Sequence, residues 1–423
     1  MKTITMRHIL GNKVLQYDVD DRGVIVDERE IDRTINLNPD IPDISIWIKQ
    51  HMVFWYDMSK PADVYTQNFN DWQNYNPNSV SITNNRKRIG LTITQLPSGQ
   101  SVPTNEILKA NPYLQDFSGN NRPLKLNNFL FAAMSGVGGY DIASTNILPD
   151  KANVTVTDNR IIHITKKLST TDDMVNIVPA NSNPTHKFKV TGLSDGRQVS
   201  LVNRNGGFYT FDNGEHEVTL TYPEGTTSLY NAIGVTGDIG DMDVTIEFLP
   251  KYPNALVTDG VDDYGVVENF KSLQNYMMFF QCAIIRPDTV NGMFSTTPIE
   301  NGNNIVGWML LQGNYANSVR FGNNGYKNFK FTPSVEDKIS YVLSANNELM
   351  TCYVGEEKAT LAETYRQTGA NMSLFLSEAR GKTRFGSMAF YKSILFDSVP
   401  TKQNDGFTEQ DLIDYVLENL ITK

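Results

Sequence analysis

The sequence predicts an all-β protein in which one β-sandwich is split by a second, inserted β-sandwich, with a short N-terminal arm and a C-terminal helix. Three observations predict it. From Asn153 to Pro250, short stretches that alternate apolar with polar residues recur about every ten residues, with Gly, Asn, Asp or Pro between them. From Asn254 a second series begins, with strands such as YMMFFQCAIIRP and TRFGSMAFYKSILF. Ahead of both, VFWYDMSK at Val53 and NPYLQDFSGNNRPLKLNNF at Asn111 read like the opening strands that the second series lacks. At 423 residues the chain exceeds one ordinary domain. Hydrophobic residues at 40% and charged residues at 20% fit a folded chain and exclude disorder.

Residues 1–50 form the expected arm. VLQYDVDDRGVIVDE alternates around Asp-Arg-Gly and reads as a hairpin. Ile44, Ile46, Trp47 and Ile48 follow, too few to bury one another, so the arm is expected to dock on a partner. Residues 51–151 are the first part of the host sandwich. Within them 62–110 read as a long excursion, in which SITNNRKRIGLTITQL resembles a hairpin. Residues 152–251 are the guest, flanked by the linker-like LPDKAN at Leu148 and LPKYPN at Leu249. A guest with close termini fits a surface loop of its host. Residues 252–423 complete the host and end in a helix, with Thr408 as N-cap, Asp411 three residues on, and Leu412, Val416 and Leu420 along one face.

The host segments resemble the laminin-G/concanavalin-A-like jelly roll. The matching residues are WYDMSK at Trp55, QDFSGNNRPLKLNNF at Gln115, VTDGVDDYGVV at Val257, CAIIRPD at Cys282, RFGSMAFYKSILF at Arg384 and FTEQDLIDYV at Phe407. CAIIRPD keeps the Arg-Pro of the family's strand and lacks its Trp. The resemblance implies a concanavalin-A-like jelly roll split by an immunoglobulin-like sandwich. The run NPYLQDFSGNNRPLKLNNFLFAAMSGVGGYD is also similar to structural and appendage proteins of tailed bacteriophages of gut Bacteroidales, crAss-like phages included. That implies a virion protein of a tail hub, tail fibre or head fibre. Its partners would be other virion proteins and copies of itself, with a host surface glycan as a further ligand.

The chemistry in the sequence is sparse. On a strand, Asp241, Asp243, Thr245 and Glu247 of DMDVTIEF share one face. Asp243 and Glu247 would lie about 13 Å apart at about 3.3 Å per residue. That exceeds the roughly 5–5.5 Å of a retaining glycosidase pair and the roughly 6.5–9.5 Å of an inverting one. Asp241 and Asp243 could span the inverting distance. Met242, Val244, Ile246 and Phe248 make the other face an apolar row, so a solvent-facing strand is expected. Asp259, Asp262 and Asp263 could line a calcium site, since hard cations take carboxylate oxygens; an Asp-Gly turn is the alternative. SGVGGYD at Ser135 lacks the Lys-Ser or Lys-Thr of a phosphate loop and reads as a sharp turn into the guest. His8, His51, His163, His186 and His216 form no metal-ligand spacing. GGFYTFDNGE at Gly206, NGNN at Asn301 and FGNNGY at Phe321 have the composition of sugar-binding loops and of ordinary turns alike.

No catalytic, cofactor-binding or metal residue is assigned, and no enzyme activity or cofactor is expected. The net charge of −10 disfavours nucleic acid, and Arg86-Lys87-Arg88 reads as a solvated turn. Cys282 and Cys352 read as buried thiols. The N-terminus shows no apolar h-region and no stretch of 18 apolar residues occurs, so synthesis in a reducing host cytoplasm without membrane insertion is expected.

Overall fold

A computed structural model describes residues 4–10, 13–19, 25–31, 44–60, 91–93, 112–129, 134–146, 153–157, 160–168, 174–179, 184–203, 207–221, 231–268, 270, 273, 275–286, 291–295, 309–313, 318–321, 327–330, 337–346, 349–355, 357–362, 371–377 and 384–422. The chain divides into two units, 1–52 with 398–423, and 53–397. Among the described residues, no helix is long and apolar enough to cross a membrane.

The larger unit contains the host and the guest. One host sheet has eight strands. Along it run Glu357–Ala362, Leu349–Val354, Ile339–Ala345, Tyr276–Ile284, Ser387–Phe396, Leu256–Asp259 and Gly136–Val137, and Met52–Asp57 also pairs with Ser387–Phe396. The facing sheet has nine, in the order Lys327–Lys330, Ser318–Phe321, Met309–Gly313, Asn291–Ser295, Met372–Leu374, Tyr264–Val267, Leu124–Asn127, Pro112–Leu114 and Leu91–Ile93. Both sheets interleave strands from before and after the guest. Gly265 pairs with Leu126, and Leu256 with Val137. The host is therefore one sandwich built from two distant stretches. Its core holds Phe54, Tyr56, Leu124, Leu126, Met278, Phe280, Phe294, Leu374, Phe375 and Phe390. Cys282 and Cys352 lie in it as free thiols; burial raises both, and pushes the Cys352 thiol up to about 12. The expectation of buried thiols holds.

Two further sheets of five strands make the guest. One orders Val154–Thr157, Ile161–Lys167, Gly240–Phe248, Thr185–Thr191 and Gly214–Thr219. The other orders Phe208–Phe211, Arg197–Asn203, Asn231–Gly237, Met174–Pro179 and Ile142–Asn146. Alternation places Ile162, Ile164, Phe188, Val190, Val199, Leu201, Val244 and Ile246 in a separate core. Ile142–Asn146 belongs to the guest's sheet yet precedes residue 152, where the linker-like LPDKAN put the boundary.

The two crossings between host and guest lie side by side. Lys251 N–H donates to Gly139 O at 2.9 Å, Tyr252 N–H to Gly138 O at 2.7 Å, and Gly138 N–H to Ala255 O at 2.9 Å. Gly138 sits at φ +75°, and a Cβ there would come within 2.6 Å of Pro250 Cβ, so this approach requires glycine. The Gly139–Lys251 bond brings the two crossings within the span of a two-residue linker. Replacing residues 140–250 by Asn-Gly should therefore leave a host that melts cooperatively. Calorimetry of the shortened protein checks this, and an aggregated or non-cooperative product would refute it.

In the smaller unit, Ile4–Leu10, Lys13–Val19 and Ile25–Ile31 form an antiparallel meander. The expected hairpin is its second half. Ile44–His51 is a helix whose Trp47 and Ile48 are buried, while Ile46 stays 47% exposed. Trp47 Nε1–H donates to Asp405 Oδ1 at 3.1 Å, and its ring meets Phe407 edge-on at 5.9 Å. The apolar residues expected to need a partner chain thus find cover partly within this one. At the C-terminus Thr408 caps the helix Glu409–Val416 in a capping box with Asp411. Leu412 and Val416 are buried, but the last turn, Leu417–Ile421, is a π-helix. The wider turn brings Ile421 inward, at 1% exposure, where straight periodicity had placed Leu420.

Candidate functional site

The acidic strand of the guest is a surface charge ladder. Asp243 Oδ1 lies 2.6 Å from His163 Nε2, and Asp241 Oδ1 lies 3.3 Å from Lys166 Nζ, both across to Ile161–Lys167. Glu247 stands opposite Lys189 in the register. Val244, Ile246 and Phe248 face the core. Each acid on this face therefore sits beside a base on a neighbouring strand.

The acids that carry the jelly-roll motifs are spent on the fold. Asp116 Oδ1 accepts from the N–H groups of Trp55 and Ser118, each at 2.9 Å. Its Oδ2 accepts from Ser118 Oγ–H at 2.8 Å and Arg122 N–H at 3.0 Å. Tyr56 O–H donates to Arg122 O at 2.6 Å. One carboxylate thus stitches WYDMSK to QDFSGNN.

Asp259, Asp262 and Asp263 gather where the chain crosses from Leu256–Asp259 in one host sheet to Tyr264–Val267 in the other. One carboxylate oxygen of each lies within 4.8 Å of the others. Asp263 is fully buried and accepts from Ser135 Oγ–H at 2.9 Å and Asp259 N–H at 3.0 Å. Asp259 Oδ1 accepts from Val261 N–H at 2.7 Å, which closes an Asx turn. Burial, with the Asp259 charge adding to it, pushes the Asp263 carboxyl up to about 8. Three carboxylates at this spacing could hold a hard cation, yet a calcium ion takes about six to eight oxygens. The same groups serve a turn that pins Ser135 to the crossover. Because the folded chain holds the Asp263 proton from about pH 4 to about 8, stability should fall as pH rises through that window. Asp263→Asn should keep the fold and flatten the profile in a pH series of melts. A calcium-dependent rise in melting temperature that disappears in Asp263→Asn would instead make the cluster a metal site.

A third constellation escaped the sequence reading. Lys392, its side chain 5% exposed, lies 3.5 Å from Asp57 Oδ2, whose side chain is 2% exposed. Asp57 Oδ1 also accepts from Ser59 N–H at 2.9 Å. Two more ammonium groups feel this pair. Lys60 Nζ sits 3.3 Å over the Trp55 ring, and Lys338 Nζ 4.4 Å over the Tyr391 ring. Burial holds both below the usual lysine range; the Lys392 charge lowers each further and the Asp57 carboxylate opposes it. The Asp57 carboxylate therefore acts on three lysines, one in an ion pair and two at longer range. A β-bulge sets this up. The register shifts between Gln281 and Cys282, so Cys282 pairs with Phe390 and Gln281 with Lys392, and Tyr391 is the extra residue. Lys392 in the apolar run SMAFYKSILF was the available signal, because a lysine there requires an acid.

The remaining candidates are scattered. His51 packs on Trp47 with ring centres 4.4 Å apart. His216 Nε2 lies 2.8 Å from Asp212 O. His186 is 2% exposed, with neither ring nitrogen hydrogen-bonded. His8 falls in a strand whose side chains are not described. Of the sugar-loop candidates, Phe208 is 62% exposed, while Gly206, the stretch at Asn301 and residues 322–326 lie outside the described residues, as does the basic run Arg86-Lys87-Arg88.

No protein-family model matches the chain, and no curated protein matches it. Solved structures do. The CBM40 of the Ruminococcus gnavus IT-sialidase, bound to α2,3-sialyllactose, is similar at 15% identity and a TM-score of 0.27, over 31% of this chain and 80% of that one. Domain 4 of AbnA, a GH43 extracellular arabinanase from Geobacillus stearothermophilus in complex with arabinotriose, is similar at 12% identity and a TM-score of 0.30, over 37% and 75%. The Caenorhabditis elegans galectin LEC-6 is similar at 10% identity and a TM-score of 0.25, over 33% and 94%. These likenesses concern the fold of about a third of the chain, and no residue role passes through them. Among its described residues the chain is a predominantly β protein, a host sandwich of two large antiparallel sheets that carries a second, inserted sandwich.

Proposed function

We propose that this chain is a non-enzymatic structural protein of a tailed-phage particle that assembles with other virion proteins and with copies of itself and presents a surface to host glycans. What carries the non-enzymatic part is how the acids are used. Asp116 and Asp263 bind the chain's own backbone and hydroxyls, and Asp241 and Asp243 pair with Lys166 and His163. What supports the virion part is the sequence run from Asn111 to Asp141 and its similarity to phage appendage proteins. Mass spectrometry of purified particles should find the chain at stoichiometric abundance. Its absence from particles would sink the virion reading. Purified protein should release no reducing ends from bacterial polysaccharides; turnover lost in Asp243→Asn would reverse the non-enzymatic one. The second reading is a free-standing glycan-binding module, favoured by the half-buried rings of Trp55, Phe117 and Tyr391 at the lysine cluster. It stands if the protein binds glycans but never enters particles.

A further inference from the structure

We propose that Asp57 and Lys392 react with one another in the folded chain, joining their side chains in an amide bond that cross-links the first and last described strands of the host sandwich. The proposal concerns the chain alone and rests on neither the virion nor the glycan reading.

Contact gives the first argument. Met52–Asp57 pairs with Ser387–Phe396, and Met58 N–H donates to Tyr391 O at 2.9 Å, so the backbone holds Asp57 beside Lys392. Lys392 Nζ lies 3.5 Å from Asp57 Oδ2, with the two side chains 5% and 2% exposed. A charge-assisted bond in full contact closes to about 2.7–2.9 Å. The amine instead stands off near the roughly 3–3.5 Å from which oriented groups react. Groups held this way need no encounter, and a site closed to solvent keeps out the water that would reverse the bond.

The carboxyl group is arranged for attack, which is the second argument. Asp57 Oδ1 accepts from Ser59 N–H at 2.9 Å and from Ser59 Oγ–H at 2.5 Å, while Oδ2 faces the lysine. The two oxygens are thus unlike. Oδ1 sits where two donors stabilise negative charge, and Oδ2 is the oxygen that leaves. The Lys60 and Lys338 ammoniums interact with both partners and add positive charge around the carboxyl. Burial gives this charge more weight than it would have in water.

The atoms balance without any further reactant. One proton passes from the Lys392 ammonium to Asp57 Oδ2, leaving an amine and a carboxylic acid. Two separated charges in a dry site carry a desolvation cost that this neutral pair avoids. The Nζ lone pair then attacks Asp57 Cγ, and the electrons of the C=O bond move onto Oδ1. A second proton moves from Nζ to Oδ2. The carbonyl re-forms, the Cγ–Oδ2 bond breaks and water departs. The third proton stays on Nζ as the amide N–H. Newly folded protein holds the ion pair, and the bond follows on standing. The linked residues enclose the guest and most of the host, and a cross-link over so long a loop constrains the unfolded chain strongly.

The test is mass spectrometry of the full chain, followed from synthesis through incubation at neutral pH. The intact mass should fall by that of one water, a digest should contain the Asp57 and Lys392 peptides joined, and the melting temperature should rise with the converted fraction. Lys392→Met and Asp57→Ala should keep the full mass of their sequences. Lys60 is half-buried and Lys338 exposed, so Lys60→Met/Lys338→Met should fold and convert about tenfold more slowly. Arginine at both positions should restore the rate, because charge is what acts there. A wild-type mass that never changes would overturn the cross-link. So would water lost from a single peptide with no joined pair, as a succinimide at Asp195-Gly196, Asp259-Gly260 or Asp405-Gly406 would lose it. Equal rates in wild type and the double methionine variant would overturn the part assigned to Lys60 and Lys338.

Discussion

Lys392→Met should destabilise the host sandwich by about 3–5 kcal/mol, the cost of leaving a buried charge without its partner. Asp57 and Lys392 are 2% and 5% exposed at their side chains, so water cannot take the place of the lost ammonium. Methionine fills nearly the same volume, which separates the electrostatic loss from a packing defect. Asp57→Asn/Lys392→Met should recover most of the loss, because the asparagine carbonyl can still accept from Ser59 N–H. Urea melts of the three proteins check this. Lys392→Met within about 1 kcal/mol of wild type would show that Lys60 or Lys338 moves in to compensate.

The guest should lose stability in mild acid through a single residue. His186 points into its core beside Phe248, with ring centres 5.7 Å apart, and neither nitrogen has a hydrogen-bond partner. Burial pulls its folded-state pKa from 6.5 down to about 4. The unfolded chain therefore binds the extra proton first. Stability is complete above about pH 7, falls as pH drops from about 6.5 towards 4, and has lost about 3 kcal/mol once both states are protonated, at about 1.4 kcal/mol per unit. His186→Leu should remove this slope, and near neutral pH it should match or exceed wild type, since an unsatisfied polar ring gives way to an apolar side chain. Melts of the isolated guest, residues 140–250, from pH 4 to 8 would decide it. An identical slope in both proteins would place the acid sensitivity elsewhere.

The sequence made the sandwiches legible because alternation is a local signal. Thr185–Thr191 reads in the chain as it folds, with His186, Phe188 and Val190 inward. The host's split was legible because VTDGVDDYGVV needed neighbours, and the structure pairs it with Leu124–Asn127 and Gly136–Val137. What did not show depends on residues distant in sequence. Ile142–Asn146 is short and lies ahead of the linker-like run at Leu148, so the sequence counts it with the host, and its place in the guest is fixed by Met174–Pro179. The cover over Trp47 comes from Asp405 and Phe407, 358 and 360 positions away. The lysine cluster assembles from three segments and a bulge, and no periodicity marks where three ammoniums will meet. Asp243 was placed on the solvent face by its alternation, but its pairing with His163 required the register between strands.

The paired crossings at Gly138–Gly139 and Lys251–Tyr252 bear on the order of folding events. During synthesis the guest is complete before the host's second half exists, and domains generally fold as units as they appear. Once formed, the guest holds Gly139 and Lys251 within a hydrogen bond of one another. To the host, the intervening residues then count as a closed two-residue turn, and the entropy of closing a long loop has already been met. The guest is in this sense a clamp that shortens the host's search for its own strands. In pulse-labelled refolding, amides of Asn231–Gly237 should gain protection before those of Tyr276–Ile284; the opposite order would uncouple the two.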